Sequence, residues 1–184
     1  MGSSRLQALD DACNDPRVTA PELDGPRVRL VPVAPEHRVR LREIHAEPEV
    51  RRWWQDPHDD FPDLGGGTNY TVLLEGEIVG FAQWYEERDP MFRHAGLDLF
   101  LDPAVHGRGL GTETARVLCA HLIDDHGFHR LVIDPEAENE VAIATYRKLG
   151  FKPVGVLRQY SRDRAGAWKD GLLMDLLAEE FARD

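Results

Sequence analysis

Apolar and polar residues alternate through "RVRLVPV", beginning at Arg27, and a period of two predicts a strand. Pro35 suits the first position of a helix carried by "PEHRVRLREIHAEP", and Pro48 starts a shorter one ending at Trp53 and Trp54. The Asp, Pro and Gly content of "DPHDDFPDLGGG" predicts a loop carrying Asp56, Asp59, Asp60 and Asp63. "YTVLLEGEIVGFAQWYEE" predicts two strands about a tight turn at Glu75, Gly76 and Glu77; "HAGLDLFL", from His94, predicts a third. A helix over about residues 109–126 follows, with Leu110, Thr114, Val117, Leu118 and Leu122 as its apolar stripe. Next come a short strand, "RLVID", and a helix from an Asn139 cap to a Gly150 stop. "FKPVGVLRQY" and "WKDGLLMDLL" predict the last two strands, joined by the basic loop "SRDRAG".

This order implies an α/β or α+β domain: one mixed sheet of about seven strands, in which an antiparallel run leads into βα units, with helices on its faces. The domain is expected to cover residues 26–184. Residues 1–25 lack a sustained period and are expected to form a leader that is mobile or lies over the surface.

With 33 acidic and 22 basic residues the net charge is −11, which argues against a nucleic-acid or anionic-membrane binder and suits a cationic partner. Acidic charge also serves solubility alone. Cys13 and Cys119 lack zinc-ligand spacing and read as free thiols in a reducing compartment. No apolar run is long enough to span a bilayer and the start lacks a secretory signal, so a cytoplasmic location without membrane partners is the expectation. A homodimer is the expected assembly if the chain self-associates.

"VHGRGLGTETARVL", residues 105–118, places glycines at 107, 109 and 111 directly before a helix. Glycine permits positive φ and close approach, and a helix N-terminus presents unpaired amides, so the segment suits either an anion or a plain tight connection. The P-loop spacing and its Lys are absent, and the dinucleotide fingerprint finds Thr112 where its last glycine belongs. The stretch resembles the acyl-CoA signature of the GNAT superfamily of N-acyltransferases: Gln or Arg, two residues, Gly, one residue, Gly or Ala. Gly109 and Gly111 match, and His106 stands at the Gln/Arg position. Downstream, "NEVAIATYRKLGF" resembles that family's N-x-x-A-x-x-x-Y-x-x-x-G-F through Asn139, Ala142, Tyr146, Gly150 and Phe151.

The resemblance covers about residues 27–181 and implies a bent sheet split between its fourth and fifth strands, "HAGLDLFL" and "RLVID". Acetyl-CoA is the implied co-substrate, with no metal. Its pantetheine arm would pair with backbone groups of Leu99 and Leu101. Its pyrophosphate would meet the amides of Gly107, Arg108, Gly109, Leu110, Gly111 and Thr112, with His106 and Asn139 also at the cofactor.

Acetyl transfer to an amine needs a neutral nitrogen, an oxyanion partner and a proton for the leaving thiolate. By resemblance Tyr146 supplies the proton; the alternative is a tyrosine that packs its helix on the sheet. The Leu99 N–H is the candidate oxyanion donor. Strand alternation puts Asp98 on one face with His94, Gly96 and Phe100. A desolvated carboxylate there has a raised pKa and can take a proton. An Arg-paired structural carboxylate is the alternative, and His94 is a second candidate base.

"EVRRWW", the Asp-rich loop, Asp98 and the "DP" after the next strand look like aminoglycoside 6'-N-acetyltransferases. That resemblance implies an antibiotic-resistance activity on a polycationic small molecule, with Trp53, Trp54, Asp98, Asp134 and Asp170 binding substrate. Other metabolite amines, polyamines, siderophore-type lysine and protein N-termini are alternatives, as is a non-catalytic acyl-CoA sensor. A hydrolase is disfavoured because Ser3, Ser4 and Ser161 lie in no G-x-S-x-G elbow. A metal site would need His121, His126 and His129 to converge, but 121 and 126 are expected on different sides of a helix.

Overall fold

The computed structural model describes residues 20–57, 59, 61–62 and 68–184. Residues 1–19 of the expected leader, with Cys13, and the loop positions Asp60 and Asp63 lie outside the described residues. Among the described residues eight strands form one sheet in the order β1-β2-β3-β4-β5-β6-β8-β7. They are β1 (Leu23–Asp24), β2 (Val28–Pro32), β3 (Thr68–Leu74), β4 (Glu77–Glu87), β5 (His94–Leu101), β6 (Arg130–Ile133), β7 (Lys152–Arg162) and β8 (Trp168–Leu177).

The additional strand lies where the leader was expected to end. Leu23 pairs with Leu30 and Asp24 with Arg29, and Gly25 N donates to Val28 O at 2.8 Å to close the turn. Two residues carry no readable period, so alternation alone does not reveal this strand.

From β1 to β5 neighbouring strands are antiparallel. Glu75 and Gly76 take positive φ values of 53° and 88° in the β3–β4 hairpin, the twist that two-residue hairpins require. β5 and β6 are parallel but pair only at Ala95 with Leu131 and Gly96 with Val132. Beyond those pairs β5 continues through Leu101 while β6 ends at Ile133, so the sheet opens where the split was expected.

Among the described residues four α-helices accompany the strands: α1 (Arg38–His45), α2 (Pro48–Arg51), α3 (Leu110–Asp124) and α4 (Glu140–Arg147). Pro35 opens a 3₁₀ turn ahead of α1 rather than α1 itself. α3 packs with β1, β2 and β5, burying Leu110, Ala115, Leu118 and Leu122 against Leu30, Val72, Leu97 and Leu131. A second apolar cluster joins Leu41 and Ile44 of α1 to Val50, Phe61, Phe81 and Phe100. Both clusters draw on β5, so helices cover both faces of the sheet. Each fully buried leucine contributes about 1.5–3 kcal/mol from surface removed from water.

The α3 C-terminus corrects the expected separation of its histidines. The helix ends at Asp124 and the chain turns through Gly127, φ +66°, bringing His126 Nε2 to 3.1 Å from His121 Nε2. Asp125 Oδ2 meets His121 Nδ1 at 2.6 Å, and the His126 ring lies 4.8 Å from that of Trp84. Among the described residues, no group of three or more His, Cys, Asp or Glu side chains is arranged to hold a metal ion. Nor is any described helix long and apolar enough to cross a membrane.

Candidate active site

The gap between β5 and β6 opens into a cleft of about 370 Å³. Leu97, Asp98, Leu99, Ile133 and Asp134 form its floor, Trp53, Trp54 and Asp56 one wall, and Asn139, Ala142 and Tyr146 another. Most sequence-derived candidates for chemistry and amine binding therefore meet in one place, although they come from four separate segments.

Asp98 owes its place to β5, where it is directly opposite Gln83 of β4. Gln83 Nε2 donates to Asp98 Oδ2 at 3.0 Å, so the partner is an amide rather than the arginine of the structural alternative. Burial pushes the Asp98 carboxyl up to about 6; the Gln83 hydrogen bond opposes this rise and the Asp134 charge adds to it. A carboxylate tuned in this way is charged at neutral pH yet can accept a proton.

Tyr146 is 7% exposed and packs on Phe151 with ring centroids 5.6 Å apart. Burial, then the Asp98 charge, raises its phenol well above the usual range, so it stays protonated. Asn139 lines the cleft while its Oδ1 accepts from Ala142 N at 3.1 Å, capping α4 as its sequence position predicts.

Before α3, Gly107 and Gly109 have φ values of +73° and +78°. Gly109 is the N-cap, no side chain caps the helix, and a Cβ at Gly107 would meet nothing within 4 Å. Open amides at a fifteen-residue helix start fit a diphosphate, and the gap beside β5 fits an extended chain. His106 differs from the expected cofactor contact because its Nε2 lies 2.9 Å from Leu101 O, engaging a backbone group expected to face the pantetheine arm.

Sequence reading missed the support beneath this loop. Glu113 accepts from Arg27 N at 2.6 Å, Val28 N at 3.0 Å and Arg27 Nε at 2.7 Å, while Arg27 Nη1 reaches Arg108 O at 3.1 Å. Burial alone would raise the Glu113 carboxyl, but these donors outweigh it and hold it below its ordinary value.

Two other candidates lie apart from the cleft lining. Asp170 does not line the cleft; its Oδ1 accepts from Gln159 N at 2.7 Å. Nor does His94 line it, and its Nδ1 sits 2.8 Å from Phe92 O. Conversely, sequence reading missed His45, Glu136 and Tyr160 in the lining. Tyr160 donates to Asp134 Oδ2 at 2.5 Å, and this bond followed by burial raises its phenol to about 12. At the mouth, Arg164 of the β7–β8 turn pairs with Asp56 at 2.6 Å. Gln83 had a signal, being a polar residue inside the apolar run "GFAQWY"; Tyr160 had none.

Residues 36–151, a span that includes Asp98, the glycine loop and Tyr146, match the model of the Acetyltransferase (GNAT) family. The spermidine N(1)-acetyltransferase of Escherichia coli (strain K12) is 28% identical over 151 residues, covering 72% of this chain and 78% of that protein. The aminoglycoside N(6')-acetyltransferase type 1 of Klebsiella pneumoniae is 36% identical over 102 residues, or 49% of this chain, which thus spans 50% of that relative. The solved structure of Mycobacterium smegmatis RimJ in complex with CoA-disulfide shares the fold, with a TM-score of 0.76 at 22% identity over 87% of each chain. A split mixed sheet, an open glycine turn ahead of α3 and a family match through both signatures converge: the chain belongs to the GNAT acetyltransferase family and is an acyl-CoA-dependent N-acetyltransferase.

Proposed function

We propose that this chain acetylates a primary amine of a polycationic small molecule, first an aminoglycoside of the 6'-amino type and second a polyamine. The observation carrying this reading is the cleft, where Asp56, Asp98, Asp134 and Glu136 share a lining with Trp53 and Trp54. Several carboxylates suit several ammonium groups, and indole faces suit sugar rings and cations. The aminoglycoside relative supports the first choice by identity and the spermidine relative supports the second by coverage.

Acetyl-CoA supplies the acetyl group as an activated thioester. The amides of residues 107–112 hold its diphosphate, and the β5 edge at Leu99 aligns its arm. Asp134, with Trp53 and Trp54, orients the amine, and Asp98 takes the ammonium proton, directly or through water. The Leu99 N–H stabilises negative charge on the carbonyl oxygen. Tyr146, held neutral by burial, protonates the departing thiolate.

Thiol release from acetyl-CoA, followed with kanamycin, tobramycin, spermidine, lysine and a peptide amine, tests the reading. Saturable turnover is expected for at least one polycation, with kcat/KM above that for lysine and the peptide. Preference for the peptide would overturn the substrate class while keeping the enzyme.

Tyr146→Phe is expected to lower kcat by about 10²-fold with little change in either KM. A kcat within about twofold of the parent would instead assign Tyr146 to packing.

A further inference from the structure

Asp170 lies outside the cleft, yet two cleft residues meet through it. β7 carries residues 158–160 opposite Asp170 alone, because Leu157 pairs with Gly171 and Ser161 with Lys169. At the centre of this bulge Gln159 has φ +51°, a left-handed conformation that side-chain-bearing residues disfavour. Asp170 Oδ1 compensates by accepting from Gln159 N at 2.7 Å.

The same residue holds the other side. Asp170 O accepts from Ala137 N, and Leu172 N donates to Pro135 O, each at 2.8 Å, clamping the turn after Asp134 to β8. Between bulge and turn, Tyr160 donates to Asp134 Oδ2 at 2.5 Å. Gly171 leaves room for the phenol ring, since a Cβ there would lie 2.9 Å from Tyr160 Cδ1.

We propose that Asp170 is a positioning residue for amine binding: by holding the left-handed Gln159 bulge it aims the Tyr160 hydroxyl at Asp134 and fixes that carboxylate in the cleft. The proposal rests on the reading of Asp134 as an ammonium partner. Tyr160 donates to Oδ2, which leaves Oδ1 as the oxygen for an ammonium group. Replacing the Asp170 side chain leaves its carbonyl bond to Ala137 in place, so the substitution releases the bulge and leaves the opposing turn attached.

Three variants separate this role from direct binding: Asp170→Ala, Asp170→Asn and the double variant Asp170→Ala/Gln159→Gly. Asp170→Ala is expected to raise the amine KM by about tenfold, the scale of one lost hydrogen bond, without moving the acetyl-CoA KM. Asparagine keeps the acceptor oxygen and is expected to restore much of the lost affinity. Glycine at 159 takes positive φ unaided and is expected to restore part of it in the alanine background. An asparagine variant as weak as the alanine one, an unchanged amine KM in Asp170→Ala, or no rescue by glycine would each overturn the proposal.

Carbon-13 labelling at tyrosine Cζ gives a readout that needs no acceptor. The Tyr160 resonance, assigned with Tyr160→Phe, is expected to shift in Asp170→Ala and to return with glycine at 159. If no amine is turned over but the resonance behaves this way, the substrate reading fails and the positioning geometry stands; an unmoved resonance overturns the positioning.

Discussion

Asp98→Asn is expected to lose turnover by about 10²- to 10⁴-fold and, at pH 8, to become the more stable protein. Burial lifts the folded carboxyl from 3.8 to about 6. The folded state therefore holds this proton more tightly than the unfolded chain, and stability is lost as pH rises from 4 through 6. One pKa unit is about 1.4 kcal/mol, so ionised Asp98 costs about 3 kcal/mol above pH 7, reduced towards 2 where the open cleft admits water. Asparagine removes that charge and can still accept the Gln83 hydrogen bond. Chemical denaturation at pH 8 and pH 4 is expected to show a gain that shrinks at the lower pH. In parallel, kcat/KM of the parent should rise with an apparent pKa near 6, a limb absent from the variant. Turnover close to the parent's in Asp98→Asn would remove Asp98 from the chemistry, whatever its effect on stability.

The second large effect has the opposite slope. Burial first, then the neighbouring His121 and Arg93, lowers His126 from 6.5 to about 4, with Asp125 opposing the shift. Here the unfolded chain binds the proton more readily, so this contribution is complete above pH 6.5 and is lost as pH falls towards 4. Its full size is about 3 kcal/mol, a large part of a typical domain's 5–15 kcal/mol, reduced by the water that reaches this half-buried ring. Asp98 gains stability across much of the same window, so the two slopes oppose one another in the parent. In Asp98→Asn the His126 limb is uncovered, and stability is expected to fall between pH 6.5 and 4. Guanidinium melts across this range, with proton NMR titration of His126, measure it. A flat profile in Asp98→Asn, or a His126 titration near 6.5, would rule out this account.

Glu113 adds to the acid loss because its folded carboxyl is held below the ordinary value by Arg27 and the Val28 amide. Removing its charge at low pH frees Arg27, which also reaches Arg108 O beside the glycine loop. Acid therefore loosens the diphosphate cradle proposed for residues 107–112 as well as the fold.

The pattern of residues by itself determined the local features. Alternation and turn signals located the seven longer strands, Pro48 and Asn139 marked helix starts, and glycines 107 and 109 marked left-handed turns because these preferences act within a few residues. Spacing carried both family signatures, and strand alternation set Asp98 apart from the flanking Leu97 and Leu99. Tertiary structure decided what depends on chain segments meeting. Gln83 reaches Asp98 only through strand pairing across 15 residues, and Tyr160 reaches Asp134 across 26 through a bulge that no periodicity announces. Asp170 was a substrate ligand by resemblance alone, yet its carboxylate accepts from the Gln159 amide. His121 and His126 meet because the chain turns back after α3 ends, which helical spacing cannot anticipate. Local conformational preference is written residue by residue, whereas the charge state and aim of a side chain depend on whatever distant atoms burial sets beside it.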